Sequence, residues 1–171
     1  RWESFPLGPF LGKSFCTTIS PWIVTSEALA PFRVPAAARA KDDPLPQNYL
    51  QDTADRAEGA FDIELSATIQ TAAMRSKGQA PARITRTNLN TLYWTAAQMI
   101  AHHTCNGCNL QPGDLLGTGT TSGPTDESRA CMLELTAGGK QPLKLPDGET
   151  RAWLEDGDEI AFYGRAHRDG F

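Results

Sequence analysis

Apolar and polar residues alternate most cleanly at Phe61-Asp62-Ile63-Glu64-Leu65-Ser66-Ala67-Thr68-Ile69. A period of two places successive side chains on opposite faces, so the pattern predicts a half-buried strand over 61–69. Residues 72–81 read as a turn. Beyond them Leu89, Leu92, Tyr93, Ala96, Ile100 and His103 recur at helical spacing, with Asn88 able to cap the start and Gly107 the end. One long helix is predicted there. After residue 110 the chain turns to short β segments: a turn and strand over 110–116, a strand over 131–136, strands over 141–145 and 150–154 flanking Pro146-Asp147-Gly148, and a last strand over 159–163.

The N-terminal part is less regular. β-branched and aromatic residues over 15–24 predict a strand, and Thr25-Ser26-Glu27-Ala28-Leu29 a short capped helix that Pro31 stops. Pro31, Pro35, Pro44 and Pro46 mark 31–60 as an exposed connection with at most short structure. The fold class expected is mixed α/β, mostly β, arranged as a roll or sandwich with one long helix.

Composition narrows the partners. A formal net charge of −4 over 171 residues offers no basic face for nucleic acid. No apolar run approaches the ~20 residues that span a bilayer, and no stretch has the order of a signal peptide. A cytoplasmic protein without a membrane partner is expected. Four cysteines are too scattered for a disulfide scaffold at this length. Cys105-Asn106-Gly107-Cys108 is a CxxC, but it follows the predicted helix and has no second pair, so buried or unreactive thiols are expected. His102 and His103 are adjacent. Helix neighbours point about 100° apart and cannot ligate one ion as an i, i+4 pair does, so His103 is expected in the core and His102 partly exposed.

Three places carry candidate chemistry. Gly12-Lys13-Ser14 resembles the end of a P-loop, but only Pro9, Phe10 and Leu11 separate Gly8 from Gly12, one residue short of the motif. Lys13 in its Pro/Gly/Phe surroundings is instead a cation that could steady a developing anion. Gly117-Thr118-Gly119-Thr120-Thr121-Ser122-Gly123-Pro124 gathers hydroxyls and backbone N–H groups, as a loop for a carboxylate or enolate oxygen does, or as a surface hairpin does. If Leu133 and Leu135 face the core of a strand, Glu134 points to its opposite face, toward solvent or a cavity.

These motifs resemble one family. Pro6 to Trp22 (PLGPFLGKSFCTTISPW), His102-His103 with Asn106-Gly107-Cys108-Asn109-Leu110, Pro112-Gly113-Asp114-Leu115-Leu116 with Gly119-Thr120 and Ser122-Gly123-Pro124, and Met132-Leu133-Glu134-Leu135 are together similar to the fumarylacetoacetase family. The resemblance implies a β-roll or sandwich of that family's C-terminal type, and a metal-dependent hydrolase that cuts a carbon–carbon bond in fumarylacetoacetate, giving fumarate and acetoacetate in tyrosine and phenylalanine degradation. It implies Mg²⁺ or Ca²⁺, a small diketo acid substrate and a homodimer. Residue by residue, Glu134 matches the Glu that activates a catalytic His, Lys13 a Lys that stabilises the leaving group, and Thr120 a substrate-contacting Thr. Lys13 and Thr17 match positions around the metal. A protonated Lys has no lone pair for a cation, which favours the substrate role for Lys13.

Cys105 and Cys16 depart from the pattern. The resemblance further implies that residues 1–171 are the C-terminal part of the catalytic domain. The catalytic His, the metal carboxylates, an Arg and a Gln would lie upstream in the same polypeptide. Another oxo-acid enzyme of the superfamily (decarboxylase, hydratase or isomerase), or a non-catalytic fragment, is the alternative expectation.

Overall fold

The computed structural model describes residues 16–168. The chain divides into two units, one ending at Ala30 and one beginning at Pro31. In the first, the helix α1 (Ser26–Leu29) forms as expected, because the Thr25 hydroxyl accepts the Ala28 N–H at 3.3 Å. The strand expected over 15–24 does not form among the described residues. Residues 16–20 and 22–25 have no regular structure, and Ile19, Trp22, Ile23 and Val24 are exposed. β-branched residues favour an extended chain, but a strand also requires a partner.

The second unit is mixed α/β, with several small antiparallel sheets and short helices. In chain order its elements are β1 (Arg33–Val34), α2 (Thr53–Glu58), β2 (Ala60–Phe61), β3 (Glu64–Gln70), α3 (Ala72–Ser76), β4 (Ala82–Asn88), α4 (Ala96–Thr104), α5 (Met132–Leu135), β5 (Leu143–Lys144), β6 (Thr150–Arg151) and β7 (Glu159–Arg165). The largest sheet has the order β4-β3-β7. β3 lies at its centre, pairing Ala67 with Thr85 on one side and with Phe162 on the other. A bulge opposite Ala67/Thr68 shifts the register so that Ile69 faces Ala82. The 31–60 connection carries only short elements, as its prolines predict.

The strand expected over 61–69 is split in two. β2 pairs with β1 and β3 with β4, and the chain changes partner at Asp62-Ile63. There the Asp62 N–H binds Phe32 O, the Ile63 carbonyl accepts from Leu89 N, and the Asp62 carboxylate accepts from Asn88 Nδ2 at 2.6 Å. Alternation continues through the break, so sequence pattern alone does not mark it.

The long helix is not observed. Asn88 does act as a cap, but of a single 3-10 turn, Leu89–Thr91. Leu92 then leaves helical geometry (φ −61°, ψ 129°), and the helix restarts at Thr95 as the nine-residue α4. A reciprocal capping box sets that start: Thr95 Oγ1 accepts from Gln98 N, and Gln98 Oε1 from Thr95 N, each at 3.1 Å. The stretch read as a turn at 72–81 begins with α3, capped by Thr71.

The core lies at one end of the main sheet. Ile69 and Met74 are fully buried with Leu145 beside them, and Ala82, Ile84 and Ile160 pack against the three. The expected hairpin around Pro146-Asp147-Gly148 is present as β5 and β6, shorter than predicted, and β7 covers the predicted last strand. No described helix is long and apolar enough to cross a membrane.

Candidate functional site

The segment 131–136 is not a strand. Met132–Leu135 forms the helical turn α5, which reverses the facing expected from alternation: Leu133 is 60% exposed and Glu134 is half-buried. Cys131 sits at the N-cap position without a side-chain bond to the turn's backbone, and the Ala137 backbone just beyond is left-handed (φ 48°). A tight turn thus carries the acidic side chain inward against the loop before it.

That loop is built to meet it. The chain is exposed from Gln111 to Thr120, then enters the interior at Thr121. Gly123 N donates to Ser128 O at 2.9 Å, and Ser128 Oγ donates back to Thr125 O at 2.8 Å, closing a compact turn that ends in the 3-10 segment Asp126–Ser128. A Cβ on Gly123 would lie 2.7 Å from Ser128 Oγ, so the close approach requires glycine. Thr85 Oγ1 donates to Glu127 O at 3.3 Å and ties the turn to β4.

The donors converge on one oxygen of Glu134. Ser122 Oγ donates to Oε2 in a short hydrogen bond, the Ala130 N–H lies 3.3 Å from Oε2, and Cys131 Sγ lies 3.6 Å from it. Ala130 N also reaches Ser122 Oγ at 3.2 Å, which fixes the hydroxyl. Arg129 donates to Glu134 O at 3.2 Å and pairs with Asp126. The Ser122 bond is the main reason that the Glu134 carboxyl is held below its ordinary range; burial opposes it, while Ala130 N–H, Cys131 and the Arg129 charge assist. The result is an ionised carboxylate anchored through Oε2. Oε1 carries none of these bonds and can accept a proton or a hydrogen bond from an imidazole or water.

The other expected site residues are not brought to this carboxylate by described contacts. Thr120 is exposed, directly after Gly119, whose φ of 77° bends the loop. Thr17 is exposed in the first unit. Lys13 lies outside the described residues. Ser122, the principal partner of Glu134, was not singled out by sequence reasoning, since a Ser-Gly-Pro turn carries no signal that distinguishes a carboxylate anchor from an ordinary hairpin.

The turn at Pro112-Gly113 is present, with Gln111 N bound to the Asp114 carboxylate at 2.8 Å, but the strand expected after it does not form. The His103 expectation is also corrected. His103 is exposed rather than in the core, because the short α4 presents that face to solvent, and its Nε2 lies 3.2 Å from Cys108 Sγ. His102 is exposed and hydrogen-bonded to Tyr49 OH at 3.0 Å. Cys105 and Cys108, expected to be buried or unreactive, are both exposed.

No group of three or more His, Cys, Asp or Glu side chains among the described residues is arranged to hold a metal ion. Thr17 offers a single hydroxyl, whereas Ca²⁺ takes 6–8 oxygen ligands, so the described residues do not fit a Mg²⁺ or Ca²⁺ centre by themselves. Two of the clefts among the described residues are not lined by Glu134. One is lined by Asp62, Glu64, Arg86, Asn88, Arg165 and His167, where Glu64–Arg86 and Asp62–Asn88 pair off much of the polarity.

The second unit is thus a mixed α/β fold in which one ionised carboxylate is anchored against a glycine-rich loop. The chain belongs to the fumarylacetoacetate hydrolase family: residues 1–166 match the family's description, "Fumarylacetoacetate (FAA) hydrolase C-terminal". Among curated relatives it is 51% identical to a fumarylacetoacetase of Arabidopsis thaliana over 99% of its length, 48% to that of Bos taurus and 47% to that of Homo sapiens, both over 100%. It spans 38% of the length of each of these relatives.

Proposed function

We propose that this chain supplies part of the active site of an enzyme that hydrolyses the carbon–carbon bond of fumarylacetoacetate to fumarate and acetoacetate, a step of tyrosine and phenylalanine breakdown. The observation that carries the reading is the Glu134 carboxylate, held ionised by Ser122 and Ala130 through Oε2, with Oε1 taking no hydrogen bond among the described residues. Such a carboxylate orients an imidazole and stabilises its protonated form, and the imidazole takes a proton from water. The water oxygen bonds to a carbonyl carbon, the adjacent carbon–carbon bond breaks, and the departing enolate is protonated to acetoacetate.

Lys13 is assigned to the departing enolate, where a compact ammonium opposes developing negative charge. Thr120, on the exposed loop, is assigned a substrate hydrogen bond. A Mg²⁺ or Ca²⁺ ion, if bound, would polarise the diketone; the family resemblance assigns Thr17, through its hydroxyl, and Lys13, through water or a backbone carbonyl, to its surroundings, and its carboxylate ligands would come from outside the described residues. The β-roll or sandwich architecture, the homodimer and the cytoplasmic location belong to the same proposal. Support comes from identities of 47–51% to proteins named fumarylacetoacetase.

The test is an assay of the 171-residue chain alone, and of a full-length polypeptide carrying it, for loss of diketone absorbance with Mg²⁺ or Ca²⁺. Turnover by the full-length form and at least about a hundredfold less by the segment is expected, since the imidazole base, the metal and Glu134 act as a unit. Equal rates would overturn the division of the site.

A further inference from the structure

The C-terminal end of α4 gathers thiols and imidazoles that the proposed hydrolysis does not use. Cys105 is the C-cap, and its Sγ donates to His102 O at 3.0 Å. Gly107, with φ of 88° and its N–H bound to Thr104 O at 3.0 Å, turns the chain back; Asn106 Oδ1 accepts Cys108 N at 3.2 Å. Cys108 is thereby returned toward the helix, and its Sγ lies 3.2 Å from His103 Nε2. Both thiols and His103 are exposed. His102 is engaged elsewhere, stacked on Tyr49 at 6.3 Å between ring centres and bonded to its hydroxyl, so His103 alone serves Cys108.

We propose that Cys108 is a peroxide-reactive thiol activated by His103, and that Cys105 is the thiol that resolves it, so that the pair forms a reversible dithiol–disulfide. The thiolate is the reactive form of cysteine, and an imidazole at hydrogen-bond distance takes its proton. Accessible thiols beside a resolving thiol are the ones that oxidise selectively. The Cys108 thiolate attacks one oxygen of hydrogen peroxide and the O–O bond breaks. The leaving hydroxide takes the proton held on His103, giving sulfenic acid and water. The Cys105 thiol then attacks the Cys108 sulfur, the S–O bond breaks, and a second water leaves. Two thiols are oxidised and one peroxide is reduced. A metal site is the weaker use of the same groups, since no set of three such ligands is assembled among the described residues.

The experiment treats the chain with a small excess of hydrogen peroxide and maps tryptic peptides by mass. Residues 87–129 fall in one peptide that contains Cys105 and Cys108, while Cys16 and Cys131 lie in others. That peptide is expected to become about 2 Da lighter, reversibly with dithiothreitol, through loss of two thiol hydrogens. Cys16, also exposed but facing the Thr18 hydroxyl at 3.9 Å, serves as the internal reference and should react at least about tenfold more slowly. In Cys105→Ser, dimedone should trap a sulfenic acid on Cys108; in Cys108→Ser, Cys105 should label no faster than Cys16. His103→Gln should bring Cys108 to the Cys16 rate. Cys108 reacting no faster than Cys16 in the unsubstituted chain, or an unchanged Cys108 rate in His103→Gln, would overturn the proposal.

Discussion

Ser122 Oγ donates to Glu134 Oε2 across 12 positions of chain, joining the glycine-rich loop to the helical turn that carries the acid. The bond sets the charge of Glu134 as well as its position. Because the folded-state pKa lies below the unfolded one, its stabilisation is fully present above the unfolded value and is lost as pH falls through the folded value. Ser122→Ala should therefore raise the Glu134 pKa toward the ordinary carboxylate range, weaken the acid-side loss of stability, and cost about 1.5–3 kcal/mol at neutral pH, as for a hydrogen bond to a charged group. Urea unfolding at neutral and acid pH measures both effects, and equal costs at the two would contradict this account.

The most buried ion pair among the described residues joins Arg151 and Asp158. Arg151 Nε and Nη2 meet the two oxygens of Asp158 at 2.9 and 3.1 Å, with side chains only 9% and 2% exposed. The Arg151 bond is the first cause of the lowered Asp158 pKa, and burial opposes it. Asp158→Ala leaves the guanidinium buried without its main partner and should cost about 3–5 kcal/mol. In the unsubstituted chain this contribution is present above the unfolded Asp pKa and fades as pH falls through the folded one. A Tm for Asp158→Ala equal to that of the parent chain would refute the assignment.

Thr95 tests why α4 begins where it does. Its hydroxyl accepts from Gln98 N and donates to Asp55 Oδ2 at 2.7 Å, so one buried side chain both caps α4 and ties it to α2. Thr95→Ala should cost about 1–2 kcal/mol, whereas Thr95→Ser should retain most of it. Thermal melts of the two variants separate the hydroxyl from the methyl group.

These cases also show what was legible in the chain. Local chemistry read well: Thr25 as a cap, the Pro146-Asp147-Gly148 turn, and the last strand at Glu159–Arg165 depend on neighbours in sequence. Alternation at Phe61–Ile69 found the central strand but not the exchange of partners at Asp62, which is a tertiary event. β4 was missed because the bulge at Ile84 turns both Ile84 and Thr85 inward and breaks simple alternation, and because its buried positions, Thr85 and Thr87, are polar. The helix was overextended because the Thr95-x-x-Gln98 box, present in the sequence, was outweighed by apolar spacing from Leu89.

Glu134 was singled out for a reason the fold does not support. Alternation in a strand was expected to turn it away from the leucines, and instead a four-residue helical turn exposes Leu133 and brings Glu134 to Ser122. The resemblance of Met132-Leu133-Glu134-Leu135 to the family pointed to the residue. The Ser122 bond spans 12 positions, beyond the reach of a local motif, which is why that partner stayed hidden among the hydroxyls of the loop.

The most direct measurement is steady-state hydrolysis of fumarylacetoacetate by the full-length polypeptide carrying Glu134→Gln, which keeps the shape and removes the charge. If the anchored carboxylate stabilises the protonated base, kcat should fall by about 10²–10⁴ with little change in KM, the range typical of lost acid–base catalysis. A folded Glu134→Gln enzyme with kcat within about twofold of the parent would contradict the central claim.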